Sequence, residues 1–206
     1  MTTPPQDPPI FHITHVENLV GILREGGLWS DAQRIARKLV TTNIGYTHIK
    51  NRRLSRPVPT RGGGMLGDYV PFNFCARSVM LLAVHGGHQD YAGGQDAVIH
   101  LVSCVSRAIA PGRPWAFTDR HAELAHALFY DDPQDLSEVR WDVMPLQWWG
   151  QVKEERQAEF LVHEFFPWTC VTEIAAATDA SAQRAQQILV GANYQPPVIV
   201  RRDWYY

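Results

Sequence analysis

Three short segments of the 206-residue chain combine chemically able side chains with apolar neighbours: FHITH (residues 11–15), VPFNFCARSVML (70–81) and RQAEFLVHEFFPW (156–168). The third is the most pointed. If it is a strand, Ala158, Phe160 and Val162 share one face, and Glu159, Leu161 and His163 the other. A carboxylate amid apolar residues is unfavourable unless something pairs with it. Glu159 is therefore either a catalytic acid at a cleft or a salt-bridged strand residue. In the first segment, His12 and His15 with Thr14 are either ligand groups or polar punctuation at a strand end. The nine histidines include no H-E-x-x-H pattern and no paired spacing with carboxylates, so no metal is expected. Gly62-Gly63-Gly64 lacks the lysine and helix context of a phosphate cradle and reads as a flexible loop.

Charge is unevenly placed. Between Arg34 and Arg61 there are eight basic residues, and no Asp or Glu, giving +8. The rest of the chain holds 11 basic against 21 acidic residues, or −10. A 28-residue window without a carboxylate is either a polyanion site or a basic loop facing an acidic patch of the same molecule.

The elements that must position these residues follow from hydrophobic periodicity. Residues 10–14 read as a strand, and Val16–Glu25 as a helix with Val16, Leu19, Val20, Ile22 and Leu23 on one face. Thr14 and Glu17 have capping-box spacing, and Gly26-Gly27 a helix stop. A short helix is expected over 31–39 and a loop over 40–68. Tyr69–Phe74, Ala97–Val105, Ala158–His163, Val171–Ala175 and Pro197–Arg201 read as strands. Helices are expected over Ser78–His85, Asp119–Phe129 and Ser181–Val190. The stretch 137–157 is irregular and holds three of the seven tryptophans. Strands and helices intersperse without regular βαβ alternation, which favours an α+β domain with a largely antiparallel sheet.

With 45% hydrophobic residues, 206 residues can bury the core of one domain, with residues 1–9 as a flexible N-terminal tail. No apolar run approaches the roughly 20 residues that span a bilayer, so no membrane partner is expected. The first residues lack a secretory pattern, and Cys75, Cys104 and Cys170 read as reduced thiols of a cytoplasmic protein.

Five segments together, IFHITHVENLVGILREGGLWSD, NIGYTHIKNRR, VPFNFCARSVML, RQAEFLVHEFFPW and VIVRRDWYY, resemble the DarT family of DNA ADP-ribosyltransferase toxins. The motifs stand in family order from about residue 10 to 206. The resemblance implies an ADP-ribosyltransferase-like fold: a split, largely antiparallel sheet around an NAD cleft, with flanking helices. It implies transfer of ADP-ribose from NAD to a thymine base of single-stranded DNA, with release of nicotinamide. It also implies a partner antitoxin with a macrodomain. The competing readings are the same chemistry on RNA or protein, and a non-catalytic nucleic-acid-binding domain.

The resemblance also implies roles. Glu159 would stabilise an oxocarbenium-like ribose, with Glu164 as the rival carboxylate. His12 would hold a ribose hydroxyl of NAD, a task suited to a neutral imidazole. Thr14 divides between capping and ligand contact, and the Gly27-Leu28 backbone would meet the nicotinamide amide. Phe74 would stack on the nicotinamide ring unless it is plain core, and Arg77 and Ser78 would meet phosphate or ribose oxygens. An arginine, Arg52 or Arg53, would stabilise the base as it loses a proton. Tyr46, His48, Lys50, Arg56, Trp148 and Trp149 would bind the DNA strand, although the tryptophans equally suit a core. His15 fits capping or support better than direct contact.

Overall fold

The structure, a computed structural model, describes residues 3–206. Strand β1 (Pro9–His15) leads through a tight turn into helix α1 (Asn18–Glu25). Gly26 stops this helix in the left-handed conformation (φ 74°), which glycine adopts without steric cost. Strand β2 (Gly27–Trp29), helix α2 (Asp31–Ala36) and helix α3 (Thr47–Arg53) follow. Then come β3 (Tyr69–Asn73), α4 (Val79–Gly86), β4 (Val98–Cys104) and the short α5 (Val105–Ile109). The chain ends with β5 (Trp115–Thr118), β6 (Phe129–Tyr130), β7 (Glu159–His163), β8 (Phe165–Pro167), β9 (Glu173–Ala176), α6 (Asp179–Leu189) and β10 (Val198–Val200).

Eight strands form one sheet in the order β10-β9-β4-β1-β3-β7-β5-β6, and β2 pairs with β8 in a small second sheet. All pairings are antiparallel except β9 with β10. The large sheet has a seam. β1 pairs with β4 along seven residues and β3 with β7 along five, but β1 meets β3 only at Phe11 opposite Asn73. This is the expected split: two well-paired halves joined at one register position. The imidazole of His12 bridges the seam, its Nδ1–H donating to the Pro71 carbonyl at 2.8 Å. A side chain thus replaces a ladder bond and leaves room beside it. The main core, which includes Phe72, Phe117, Phe160 and Phe166, packs against the sheet and removes these rings from water.

Several expectations need correction. Residues 119–128 are a series of turns, not a helix. Their backbone groups are drawn elsewhere: Asp119 Oδ1 accepts from Leu128 N, Thr118 Oγ1 donates to Arg120 O, and Ala122 N donates to Glu159. The expected loop 40–68 contains α3, whose sequence THIKNRR has no apolar stripe to announce it. Its start is secured from afar, with Thr47 N and Oγ1 both donating to the Asp90 carboxylate. The Thr14–Glu17 capping box is absent: Glu17 is the N-cap without a side-chain bond, and Thr14 Oγ1 accepts from Asn18 Nδ2. His15 does support this turn, its Nδ1 accepting from Glu17 N. Of the expected N-terminal tail, Met1 and Thr2 lie outside the described residues. Asp7 is tied by both Ser106 N and Oγ, and Pro9 already belongs to β1.

The final segment, RRDWYY, is fastened to the sheet. Tyr205 is buried, and its Oη lies 3.0 Å from His100 Nδ1 and from the carbonyls of Val98 and Ala175. His100 donates its one ring N–H, on Nε2, to Ala76 O and accepts from Tyr205 at Nδ1, and burial pushes its pKa down to about 4, so it stays neutral. Tyr205→Phe strands a buried imidazole acceptor and is expected to destabilise the fold by about 1–3 kcal/mol. Denaturant unfolding of the two proteins checks this; equal midpoints would refute the role.

Candidate active site

Beside the seam, a cavity of about 430 Å³ opens between the divergent parts of β1 and β3, the start of β7, and α3. Each element delivers a specific group. β1 brings His12 and Thr14, β7 brings Glu159, and α3 brings Tyr46 at its N-cap, then Ile49, Lys50 and Arg53 on successive turns of one face. The turn segment after β5 adds His121, and β2 with α2 adds Leu28, Trp29 and Asp31.

Glu159 is the centre of a buried polar constellation. Its side chain is 7% exposed and that of Arg53 is 10% exposed. Arg53 Nη1 donates to both carboxylate oxygens, at 3.1 and 2.9 Å, and Ala122 N donates to Oε1 at 3.2 Å. The backbone is pinned as well, with Glu159 N donating to Thr118 Oγ1. The carboxylate is therefore oriented by donors rather than free to rotate. Arg53 keeps one nitrogen, Nη2, buried without a partner among the described residues. A buried guanidinium with an unsatisfied donor in a cavity wall is a ready receptor for an acceptor atom of a bound molecule.

Both cavity histidines are kept neutral. Burial lowers the pKa of His12, which the Pro71 carbonyl only partly offsets. Burial likewise lowers that of His121, against the opposing pull of Glu159. Because Nδ1 of His12 donates to Pro71, Nε2 remains as an acceptor. Further along the wall, Asp31 Oδ1 accepts from Arg34 Nε and Nη2 (3.2 and 2.7 Å) and from Lys50 Nζ (3.4 Å). Burial alone would raise the Asp31 pKa, but the two cations beside it hold it below the usual carboxylate range. Burial draws the Lys50 ammonium down, with Asp31 opposing.

The sequence reading placed Glu159, Arg53, His12, Thr14, Leu28, Tyr46 and Lys50 at one site, and the cavity brings these seven together. Others lie apart. Gly27 does not line the cavity; its missing Cβ makes room for the Phe166 carbonyl, which an added carbon would meet at 2.2 Å. Phe74 is core, packed edge-on against Phe117, Trp141 and Phe160. Ser78 caps α4 by accepting from Leu81 N, and Arg77 stacks 4.3 Å above the Tyr206 ring, so both serve the fold away from the cavity. Arg52 points outward to Glu123 (2.6 Å) with 61% of its side chain exposed. Arg56 donates to the carbonyls of Ala122 and Leu124 and so holds the segment that touches Glu159. His48 is exposed beside Tyr46, whose ring is stacked on His88 at 4.1 Å. Trp148 is 93% exposed and Trp149 lies over the Arg156 guanidinium; neither lines the cavity. Glu164, the rival carboxylate, sits outside with a left-handed backbone (φ 58°), 3.9 Å from Arg113.

The basic window also resolves into particulars. Arg34 and Lys50 meet Asp31, Arg52 meets Glu123, Arg53 meets Glu159, and Arg61 meets Asp131. Much of the +8 thus faces carboxylates elsewhere in the chain, which is the plainer of the two readings. Asp31 and His121 were not picked out from the sequence, and Arg34 only as one member of the basic window. Asp31 looks like an ordinary first-turn acid after the Ser30 cap, and His121 lies in a stretch that reads as a helix.

Known proteins resemble this chain along nearly its whole length. A family model described as "ssDNA thymidine ADP-ribosyltransferase, DarT" matches residues 11–206. A DNA ADP-ribosyl transferase of Thermus sp. (strain 2.9) is 41% identical over 99% of both chains. Among solved structures, Thermus sp. 2.9 DarT in complex with ADP-ribosylated ssDNA superposes with a TM-score of 0.94 at 40% identity, covering 100% of this chain and 99% of that one. The same Thermus protein in complex with NAD+ superposes with a TM-score of 0.90 at 38% identity, covering 99% and 100%. By the match along nearly its whole length, the chain belongs to the DarT family of single-stranded DNA thymidine ADP-ribosyltransferases.

Proposed function

We propose that the protein transfers ADP-ribose from NAD to a thymine base of single-stranded DNA, with Glu159 and Arg53 as its catalytic pair. The observation that carries the assignment is the buried Arg53–Glu159 contact in the wall of the cavity that also holds His12.

Cleavage breaks the bond between ribose C1′ and the nicotinamide nitrogen, and the electron pair leaves with nicotinamide. The ribose carbon becomes cation-like, and a carboxylate held by fixed donors stabilises that charge without reorganising. His12, neutral and fixed by Pro71, offers Nε2 to a ribose hydroxyl. The incoming nucleophile is the thymine ring nitrogen outside the glycosidic bond; it first gives its proton to solvent at the cavity mouth, and the thymine anion then forms the new C1′–N bond. A guanidinium is a poor proton acceptor but stabilises the resulting anion. Arg53, whose Nη2 has no partner among the described residues, suits that task better than Arg52, which is turned out to Glu123.

The DNA strand would pass the mouth of the cavity along Lys50, Tyr46 and the 137–157 stretch, whose exposed Trp148 suits stacking on an unpaired base. The family reading makes the protein the toxin of a bacterial toxin–antitoxin pair, acting in the cytoplasm and opposed by an antitoxin with a macrodomain. Among the described residues no helix is long and apolar enough to cross a membrane. The test is incubation with NAD and a mixed-sequence oligonucleotide. The expected result is a mass gain of one ADP-ribose on DNA; gain only on RNA or protein, or no NAD turnover, removes the proposal.

A further inference from the structure

Arg53 and Arg56, close together at the end of α3, reach one carboxylate by different routes. Arg53 Nη1 donates to Glu159 directly. Arg56 spreads its guanidinium over the turn segment that follows β5, Nε donating to the Ala122 carbonyl at 2.9 Å and Nη2 to the Leu124 carbonyl at 2.7 Å. Ala122 in turn donates its N–H to Glu159 Oε1. The contacts close a ring that runs from α3 through Arg53, the Glu159 carboxylate, Ala122 and Arg56, and back to the chain leaving α3.

The core seats this turn without orienting it. Ala122 is fully buried in the small cluster of Val58, Leu66 and Leu161. Residues 119–128 form neither helix nor strand, so their peptide planes take their directions from individual hydrogen bonds. Arg56 supplies two of these, and a planar guanidinium holds two carbonyls at fixed angles where the point charge of a lysine does not. The bond that depends on them has little slack. At 3.2 Å, Ala122 N to Glu159 Oε1 lies at the long limit of a well-formed N–H···O bond, and a further displacement of about 0.5 Å removes it. An arginine in the basic window would otherwise read as a phosphate contact, yet Nε and Nη2 are both spent on carbonyls of its own chain.

We propose that Arg56 is a positioning residue for catalysis: by fixing the Ala122 peptide it holds the Glu159 carboxylate in the orientation that serves the reacting ribose. The proposal rests on the transfer reading above. Held from two sides, by Arg53 and by Ala122, the carboxylate presents its charge without reorganising. Released on the Ala122 side, it pivots on Arg53 alone. The loss then falls on the rate of the chemical step and not on the binding of either substrate.

The experiment compares the full-length wild type with Arg56→Lys, which keeps the charge, and Arg56→Gln, which removes it. On one thymidine-containing oligonucleotide it measures kcat, the KM for NAD and for DNA, and the salt dependence of DNA binding. Hydrogen exchange read by mass spectrometry follows residues 119–128. Both variants are expected to lower kcat about 10-fold. Both KM values and the salt slope should hold, and exchange over 119–128 should quicken in both variants. Wild-type kcat in either variant overturns the proposal, as does a lowered kcat with unchanged exchange over 119–128. It is also overturned if Arg56→Lys behaves as wild type while Arg56→Gln raises the KM for DNA and reduces the salt slope by about 1, the signature of a phosphate contact. If the wild type modifies no oligonucleotide, the transfer reading itself falls and the positioning role with it, whatever the exchange shows.

Discussion

Glu159→Gln is expected to lower ADP-ribose transfer by at least about 100-fold, the scale seen when one preorganised electrostatic partner of a transition state is removed. Glutamine keeps the length and shape of the side chain and retains a carbonyl oxygen for Arg53 Nη1 and Ala122 N, the donors that orient the native carboxylate. What it lacks is the charge that a cation-like ribose requires. NAD should still bind, because His12, Thr14 and the apolar wall of Leu28 and Phe72 are untouched. Glu159→Ala is the less informative variant. It leaves the Arg53 guanidinium, already short of one partner, as an uncompensated buried charge, a change that costs about 3–5 kcal/mol of stability in comparable sites. Calorimetric titration with NAD and mass analysis of a modified oligonucleotide separate binding from transfer. A glutamine variant that transfers at near the wild-type rate removes Glu159 from the mechanism.

The second large effect distinguishes two adjacent arginines. Arg53→Lys is expected to lose most of the transfer activity, again about 100-fold or more, since a lysine cannot reproduce a guanidinium that binds Glu159 through one nitrogen and keeps another for the base. Lysine keeps the positive charge, so the buried carboxylate retains a counter-ion and the protein should fold. Arg52→Ala is expected to stay within about threefold of wild type, because its pairing with Glu123 is an exposed contact of the kind that contributes little. Steady-state rates on one oligonucleotide at saturating NAD decide between them. A greater loss at Arg52 than at Arg53 reverses the assignment.

How much of this was legible in the sequence depends on the range of the forces involved. Strands such as Tyr69–Phe74 and Ala97–Val105 declare themselves by apolar content, and the Gly26 stop by its left-handed turn. The helix carrying Arg53 does not, because THIKNRR has no buried stripe and is secured by Asp90, 43 residues away. The apparent helix at 119–129 fails for the opposite reason: its local pattern is overruled by bonds to Glu159 and Glu154 across the fold. At the site, strand context marks Glu159 as a carboxylate that needs a partner and the family motif supplies its role and that of His12, but the preference for Arg53 over Arg52 needs to know which way a short helix is turned. The segment PFNFCARS illustrates the limit. Phe74, Arg77 and Ser78 match a motif in type and spacing, yet they build the core, the seat of Tyr206 and a helix cap.

Helix α3 stands between the cavity of Glu159 and a second cavity of about 370 Å³ on its other side, and this has a bearing on genetics. A substitution that reaches one cavity alone falls at a residue exposed to a single side: Ile49 or Arg53 for the cavity of Glu159, and Asn51 or Leu54 for the one behind the helix. Lys50 is pleiotropic by position. Any substitution there alters both cavities and removes one of the two cations that hold Asp31, so its phenotype is composite.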